Sequence, residues 1–274
     1  MTSLTTITVT YGSDDRVVSM LSSLRRTMRD GIVVAPDWSA TVVCQPDDNG
    51  STAADSVRAG APWARLIELD ENLGFSGANN LAVAETSSEF IAFLNPDLEL
   101  TEGWLAPLIA ALDDPQVAIG APVLLNGEGD IDEAGQVVFS DGGSLAIGGP
   151  HWRDWPRSYR SVMVDRDVDY ASAACWMMRR STFDELGGFS TDYWPAYFED
   201  ADLGFRARQA GYRTRLVTAR PVVHHHEGAS ADRVELARRS RAVFEATWAN
   251  ELTRQPDRSL LTSDVEQLIH WHHR

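Results

Sequence analysis

The chain has 274 residues, with 40 acidic against 24 basic side chains and a formal charge of −16. A field of that sign disfavours general binding to nucleic acid or to an anionic membrane, although a bound divalent cation can reverse it locally for a nucleotide ligand. Only two cysteines occur, Cys44 and Cys175, with no C-x-x-C pair, which argues against a disulfide scaffold or structural zinc site and for buried free thiols in a reducing cytoplasm.

The start of the chain lacks the basic stretch and long apolar run of a secretion signal. No run reaches the ~18 apolar residues of a transmembrane helix, so the expectation is a cytoplasmic protein, with peripheral contact at the inner membrane face left open. Residues 4–10 read as a strand ending in the turn cluster Tyr11-Gly12-Ser13-Asp14-Asp15. Helical spacing of Val17, Met20, Leu21, Leu24 and Met28 follows. Residues 40–44 form a second strand, 53–59 a short helix, 64–69 a third strand, 78–85 a helix and 90–94 a fourth, nearly all-apolar strand. Strand and helix alternating at this pace imply a parallel sheet with right-handed crossovers, whose ligands bind beyond the carboxyl ends of the strands.

Further along, 104–112 is helical, 117–124 a strand, and 126–150 a Gly- and Asp-rich hairpin or loop insertion. A stretch over 151–168 holds Trp152, Arg153, Trp155, Arg157 and Arg160. Residues 170–179 read as a strand, leading into a helix capped near Ser181 and ended by Gly187-Gly188. Residues 201–210 are helical, 213–218 and 222–223 are short strands, and 231–252 and 263–270 are helical.

Four features carry chemistry. Asp97 follows a buried strand and a proline, which turns its carboxylate away from the strand end. It suits a divalent cation bridging two phosphates, or else caps the next segment as a turn aspartate. Asp48 in Asp-Asn-Gly-Ser either organises a turn or accepts hydrogen bonds from a base or ribose. Glu199-Asp200-Ala201-Asp202 either starts a helix, where acids suit the dipole, or supplies a base whose pKa the nearby aromatic residues 193–198 raise. Glu199 and Asp202 are the structural members of that group. His224-His225-His226 leaves a strand, and strand neighbours alternate faces, so not all three can ligate one metal. Trp152, Trp155 and Trp194 are either sugar-stacking platforms or core. His270-Trp271-His272-His273-Arg274 is a solvated tail.

The order of motifs resembles the family-2 inverting glycosyltransferases of the GT-A fold, in particular their rhamnosyltransferase-like branch. The matching residues are Thr8-Val9-Thr10-Tyr11, Asp48-Asn49-Gly50-Ser51-Thr52, the run from Glu71 through Gly74 to Asn79-Asn80, and Phe93-Leu94-Asn95-Pro96-Asp97. Met178-Arg179-Arg180, Leu186-Gly187-Gly188-Phe189, residues 197–203 and residues 224–230 complete the set. The resemblance covers about residues 4–230 and implies a mostly parallel α/β sheet flanked by helices. Residues 1–100 would bind the nucleotide sugar, 101–230 would serve acceptor and catalysis, and 231–274 would be a helical extension.

What the resemblance implies extends to single residues. Thr10 and Tyr11 would line the nucleobase pocket, Asp48 would hold base or ribose, and Gly74 and Asn79 would close the donor loop. Asp97 would bind Mn²⁺ or Mg²⁺ on the diphosphate, with Asn95 standing where the family often has a first aspartate. Asp200 would be the catalytic base. One histidine would complete the metal site, His225 first by counting back from Gly228-Ala229-Ser230 and His224 next. The implied activity is transfer of a sugar, rhamnose-type included, from a UDP- or dTDP-donor to a hydroxyl of a glycan, glycolipid or secondary metabolite. Alternatives are a nucleotidyltransferase, against which the acidic first loop argues, and a non-catalytic carbohydrate-binding protein.

Overall fold

The structure is a computed structural model that describes residues 3–29, 37–149, 162–225, 231–263 and 265–269. Twelve strands occur among these residues. In chain order they begin β1 (Ser3–Tyr11), β2 (Asp37–Gln45), β3 (Arg65–Glu68), β4 (Phe90–Leu94), β5 (Leu98–Glu99) and β6 (Val117–Leu125). They continue β7 (Ile131–Glu133), β8 (Gln136–Val138), β9 (Ser144–Ala146), β10 (Arg166–Val168), β11 (Cys175–Arg179) and β12 (Arg213–His224). The helices are α1 (Arg16–Arg29), α2 (Ala54–Gly60), α3 (Gly74–Ala84), α4 (Leu105–Leu112), α5 (Arg180–Glu185), α6 (Glu199–Gln209), α7 (Ala231–Thr247), α8 (Ala249–Leu252), α9 (Leu260–Ser263) and α10 (Val265–Ile269).

The large sheet runs β10-β12-β6-β11-β4-β1-β2-β3, with β5 on β12 and β7 on β6. Strands β1, β2, β3, β4, β6 and β12 point one way, and β11 runs between β4 and β6 in the opposite sense. The mostly parallel α/β sheet expected from the sequence is therefore present. Period-two alternation explains why both its faces are covered. Phe90, Ala92 and Leu94 of β4 pack with Leu4, Val42, Met20 and Leu24 on one face, joined by α4 through Leu108 and Leu112. Ile91 and Phe93 pack on the other face with Ile7, Val43, Ala78, Trp176, Phe189 and Leu203.

Several elements differ from the sequence expectation. Helix α3 starts at Gly74 rather than at residue 78, because the amides of Leu73, Gly74 and Phe75 find acceptors at Gln45, Asn72 and Pro195. Only Cys175–Arg179 of the stretch 170–179 is strand. Helix α5 starts at Arg180 behind Arg179, with no side-chain cap, so the cap placed near Ser181 is corrected. The two short strands expected over 213–223 are one, β12, with a register shift between Val217 and Val222. The insertion after β6 folds as β7 and the hairpin β8–β9. Both cysteines are buried and unbridged. Among the described residues no helix is long and apolar enough to cross a membrane.

Candidate active site

The carboxyl ends of β1, β2, β3 and β4 deliver four loops to one edge of the sheet, where an open parallel sheet binds ligands. At the end of β1, Thr10 is buried beside Cys44 in the β1–β2 register, while Tyr11 is half exposed. A shallow cleft of about 320 Å³ opens there, bordered by Tyr11, Gly12, Asp14, Asp15, Arg16 and Asp47. Tyr11 Oη lies 3.5 Å from Asp48 Oδ1. Partial burial, then the charges of Asp48 and Asp47, raise the tyrosine pKa. Asp47 carries the turn: its Oδ1 accepts from the amides of Asn49 and Ser51, both at 2.9 Å. That leaves the Asp48 carboxylate exposed and available to a ligand.

The third loop is clamped rather than open. Three amides at the start of α3 are taken: Leu73 donates to Gln45 Oε1, Gly74 to Asn72 Oδ1 and Phe75 to the Pro195 carbonyl, at 2.7, 2.8 and 2.7 Å. These donors would otherwise be orphans open to an anion. Gly74 has φ +72°, and a Cβ there would sit 2.7 Å from the Pro195 oxygen and 2.9 Å from Trp194. Asn79 is buried, with its Nδ2 donating to the Phe75 carbonyl at 2.9 Å. Its neighbour Asn80, which sequence reasoning left without a role, bonds Phe189 through both amide and carbonyl. Trp194 is exposed and its indole donates to the Asn72 carbonyl.

The fourth loop gathers the charges. Asp97 follows β4, and the end of β12 is zipped onto it: β5 pairs with Val223 and His224, and the His225 amide donates to the Asp97 carbonyl at 2.9 Å. This brings His224 Nε2 to 3.2 Å from Asp97 Oδ1, with both side chains largely buried. His225, one residue on, faces Glu99 instead, at 3.1 Å. The structure thus places the second-choice histidine, not the first, against Asp97. His226 and residues 228–230 lie outside the described residues, as do Trp152, Trp155 and the tail from His270. Arg16 Nη1 comes within 3.6 Å of the other Asp97 oxygen while Arg16 also forks onto Asp14. Burial alone would raise the Asp97 pKa, but His224 and Arg16 outweigh it and hold the carboxyl below its ordinary value.

Asp200 sits in the first turn of α6, behind Tyr197 and Phe198, both of which have positive φ, 77° and 69°. Such backbone is uncommon outside glycine and marks a constrained site. The Asp200 carboxyl accepts from the amides of Ala201 (2.8 Å) and Ala173 (3.4 Å). Burial pushes its pKa up to about 6 against those donors. Glu199 beside it is buried, and burial, then the Asp200 charge, raises its pKa well above the carboxylate range. Asp202 does a different job: it accepts from Tyr193 Oη, Trp248 Nε1 and Arg206 Nε.

The two acidic corners meet at one short segment. Ala173 donates to Asp200, and the carbonyl of the next residue, Ala174, accepts from the Asn95 amide at 2.8 Å. Asp200 and the Asn95-Pro96-Asp97 turn therefore flank adjacent residues. Sequence reasoning missed three participants: Arg16, Asn80 and Glu133. Arg16 left a trace, since a cation in the first turn of a helix opposes the dipole. Glu133 is a buried acid that burial lifts to about 7, with the Asp200 charge adding to it.

A divalent cation is compatible with this geometry. Asp97 supplies a hard, ionised oxygen and His224 an imidazole nitrogen at one point. Among the described residues no group of three or more His, Cys, Asp or Glu side chains forms a self-sufficient metal cage. Two protein ligands fit an ion whose remaining positions come from substrate phosphates and water.

Comparison with known proteins bears on the family and the fold. The model of the family described as glycosyl transferase family 2 matches residues 5–187. The N-acetylglucosaminyl-diphospho-decaprenol L-rhamnosyltransferase of Mycobacterium tuberculosis is 28% identical over 243 residues, covering 81% of this chain and 76% of that one. The O-antigen biosynthesis protein RfbC of Myxococcus xanthus is 30% identical over 246 residues, 82% of this chain but only 17% of its own length. A crystal structure of GalNAc-T7 with UDP, GalNAc and Mn²⁺ superposes with TM-score 0.64 at 12% identity, covering 99% of this chain and 58% of that one. That likeness speaks for the fold, which is GT-A.

Proposed function

The chain belongs to glycosyl transferase family 2, and on that premise we propose that it transfers a sugar from a nucleoside diphosphate to an acceptor hydroxyl in one inverting step assisted by Mn²⁺ or Mg²⁺. Membership makes it a glycosyltransferase rather than a nucleotidyltransferase or a non-catalytic carbohydrate-binding module. The observation that carries the finer reading is the Ala173–Ala174 junction, whose amide reaches Asp200 and whose carbonyl receives the Asn95 amide at the head of the Asp97 turn.

In this reading Tyr11 and the exposed Asp48 receive the nucleobase and ribose at the cleft beyond β1 and β2. Thr10 supports Tyr11 from the sheet. Gly74, pressed on Pro195, and the buried Asn79 keep the donor-side loop in shape, and Asn95 fixes the turn that presents Asp97. Asp97 and His224 would hold the cation, which when bound neutralises the leaving diphosphate; His225 is the alternative partner. Arg16 stands beside Asp97 with a second positive charge. Asp200 takes the proton of the acceptor hydroxyl while that oxygen bonds the anomeric carbon and the bond to the diphosphate breaks. A base worth ~10²–10⁴-fold is the usual contribution of such a group. An L-rhamnose-type donor and a lipid-linked glycan acceptor follow the rhamnosyltransferase likeness.

The test is incubation with UDP- and dTDP-sugars and a lipid-linked acceptor, with and without Mn²⁺. Release of nucleoside diphosphate should need the cation, and proton NMR of the product should show the anomer opposite to that of the donor. A product with the donor's anomeric configuration would rule out the single displacement.

A further inference from the structure

Ser172, Ala173 and Ala174 are consecutive, and each serves a different part of the site. The Ser172 amide donates to Glu133 Oε1 at 2.7 Å. The Ala173 amide reaches Asp200 and the Ala174 carbonyl receives the Asn95 amide. The bridge is closed on itself by the Ala174 amide on Ser172 Oγ at 3.2 Å and by the Trp176 indole on the Ala171 carbonyl at 2.9 Å. It lies before β11 and has no ladder of its own, so its place depends on these bonds. Among the described residues, Glu133 is the side chain that ties the first of the three to a different strand. It ends β7, paired to Leu124 of β6. Its second oxygen accepts from Gln136 Nε2 at 2.5 Å. The next residue, Ala134, is held by the Arg166 guanidinium and by the Ile147 carbonyl. Glu133 is thus a buried acceptor on a firmly anchored support. Nothing in the transfer mechanism uses it.

We propose that Glu133 is a positioning residue for the transfer. Through the Ser172 amide it fixes the short bridge that links Asp200 to the Asn95-Pro96-Asp97 turn. The inference rests on the reading of Asp200 as the base. What the bridge needs from Glu133 is reach, because an amide donor is satisfied by a carboxylate or by a carboxamide oxygen. Misplacement of a catalytic group by about 1 Å can cost ~10²-fold in rate while binding contacts survive.

Two substitutions separate reach from charge. Glu133→Asp keeps an ionisable carboxyl and withdraws the acceptor by one methylene. Glu133→Gln keeps the acceptor in place and removes the ionisable proton, and Gln136 can turn its amide to stay paired. Amide hydrogen exchange at Ser172 and Ala173 should accelerate about tenfold or more in Glu133→Asp and stay near wild type in Glu133→Gln. Turnover should fall roughly thirty- to a hundredfold in Glu133→Asp, with the Kd for the nucleoside diphosphate plus Mn²⁺ within about threefold, and Glu133→Gln should restore most of that loss. Wild-type exchange in Glu133→Asp overturns the proposal, as does a Glu133→Gln variant as impaired as Glu133→Asp. Should Glu133→Asp fail to fold, lost turnover in a folded Glu133→Gln variant is the overturning result. Faster exchange with undiminished transfer removes the catalytic consequence. Exchange needs no substrate, so it decides the role of Glu133 in the bridge even if the wild-type protein proves to use another base.

Discussion

As the proposed base, Asp200 must be ionised to accept a proton, and its burial opposes that. The carboxyl is pushed up to about 6 by desolvation, against the amides of Ala201 and Ala173. The acidic limb of kcat/KM should therefore have its midpoint near pH 6, with activity rising as pH rises through it. The same shift has a cost in stability. A carboxyl whose folded pKa lies above its unfolded one destabilises the fold as pH climbs past the unfolded value near 4. Asp200→Asn should consequently be more stable than wild type at pH 8 by about 1–3 kcal/mol, and the gain should vanish below about pH 4 in urea titrations. At the neighbouring corner, His224→Ala should weaken Mn²⁺-dependent binding of the nucleoside diphosphate by about tenfold in calorimetry, and His225→Ala by much less. A larger loss in His225→Ala than in His224→Ala would return the choice to His225. The acids at 97 and 200 were legible in the sequence because each sits in a motif at an element boundary. Glu133 was not, because a single acid in a Gly- and Asp-rich insertion looks solvated until the fold buries it.

Helix α3 shows how elements borrow from one another. Its early start depends on acceptors from residues 45, 72 and 195, and two of these lie far away in sequence, so no local pattern could place the boundary. The same contact explains Gly74. Its positive φ and the 2.7 Å approach of the Pro195 oxygen leave no room for a methyl group. Gly74→Ala should cost about 1–3 kcal/mol in chemical denaturation, and Gly50→Ala, with open space around its Cβ position, should cost less although its φ is also positive. The all-apolar β4 and the helical stripe of α1 were legible because burial on both faces, or on one, writes its own period. Strand β11 was overextended in the sequence reading: residues 170–174 are as apolar as a strand but are spent on the bridge and on an isolated pairing of Tyr170 with Gln136.

At the scale of the molecule, the C-terminal helices are part of the packing behind the site. Phe244, Trp248 and Leu252 share a buried cluster with Tyr193, Ala201 and Phe205, and Trp248 donates to Asp202 at the root of α6. Ser240 Oγ holds the Ala196 carbonyl in the strained approach to Asp200. Ending the chain after residue 230 should expose that cluster and leave a buried carboxylate short of a donor. The expected result is a protein that precipitates or melts at least about 10 °C lower in a thermal scan, whereas an unchanged melting point would show the extension to be independent. The parallel sheet order was foreseeable from alternating strands and helices, but the reversed β11 and the docking of α7 were not, since both depend on contacts over long stretches of chain. In the proposed reaction donor binding falls to the Asp97 corner and the chemistry to the Asp200 corner. Calorimetry and turnover on Asp200→Asn test that division most directly: nucleoside-diphosphate affinity with Mn²⁺ should stay within about threefold of wild type while transfer falls by ~10²–10⁴-fold. Transfer at the wild-type rate in that variant would contradict it.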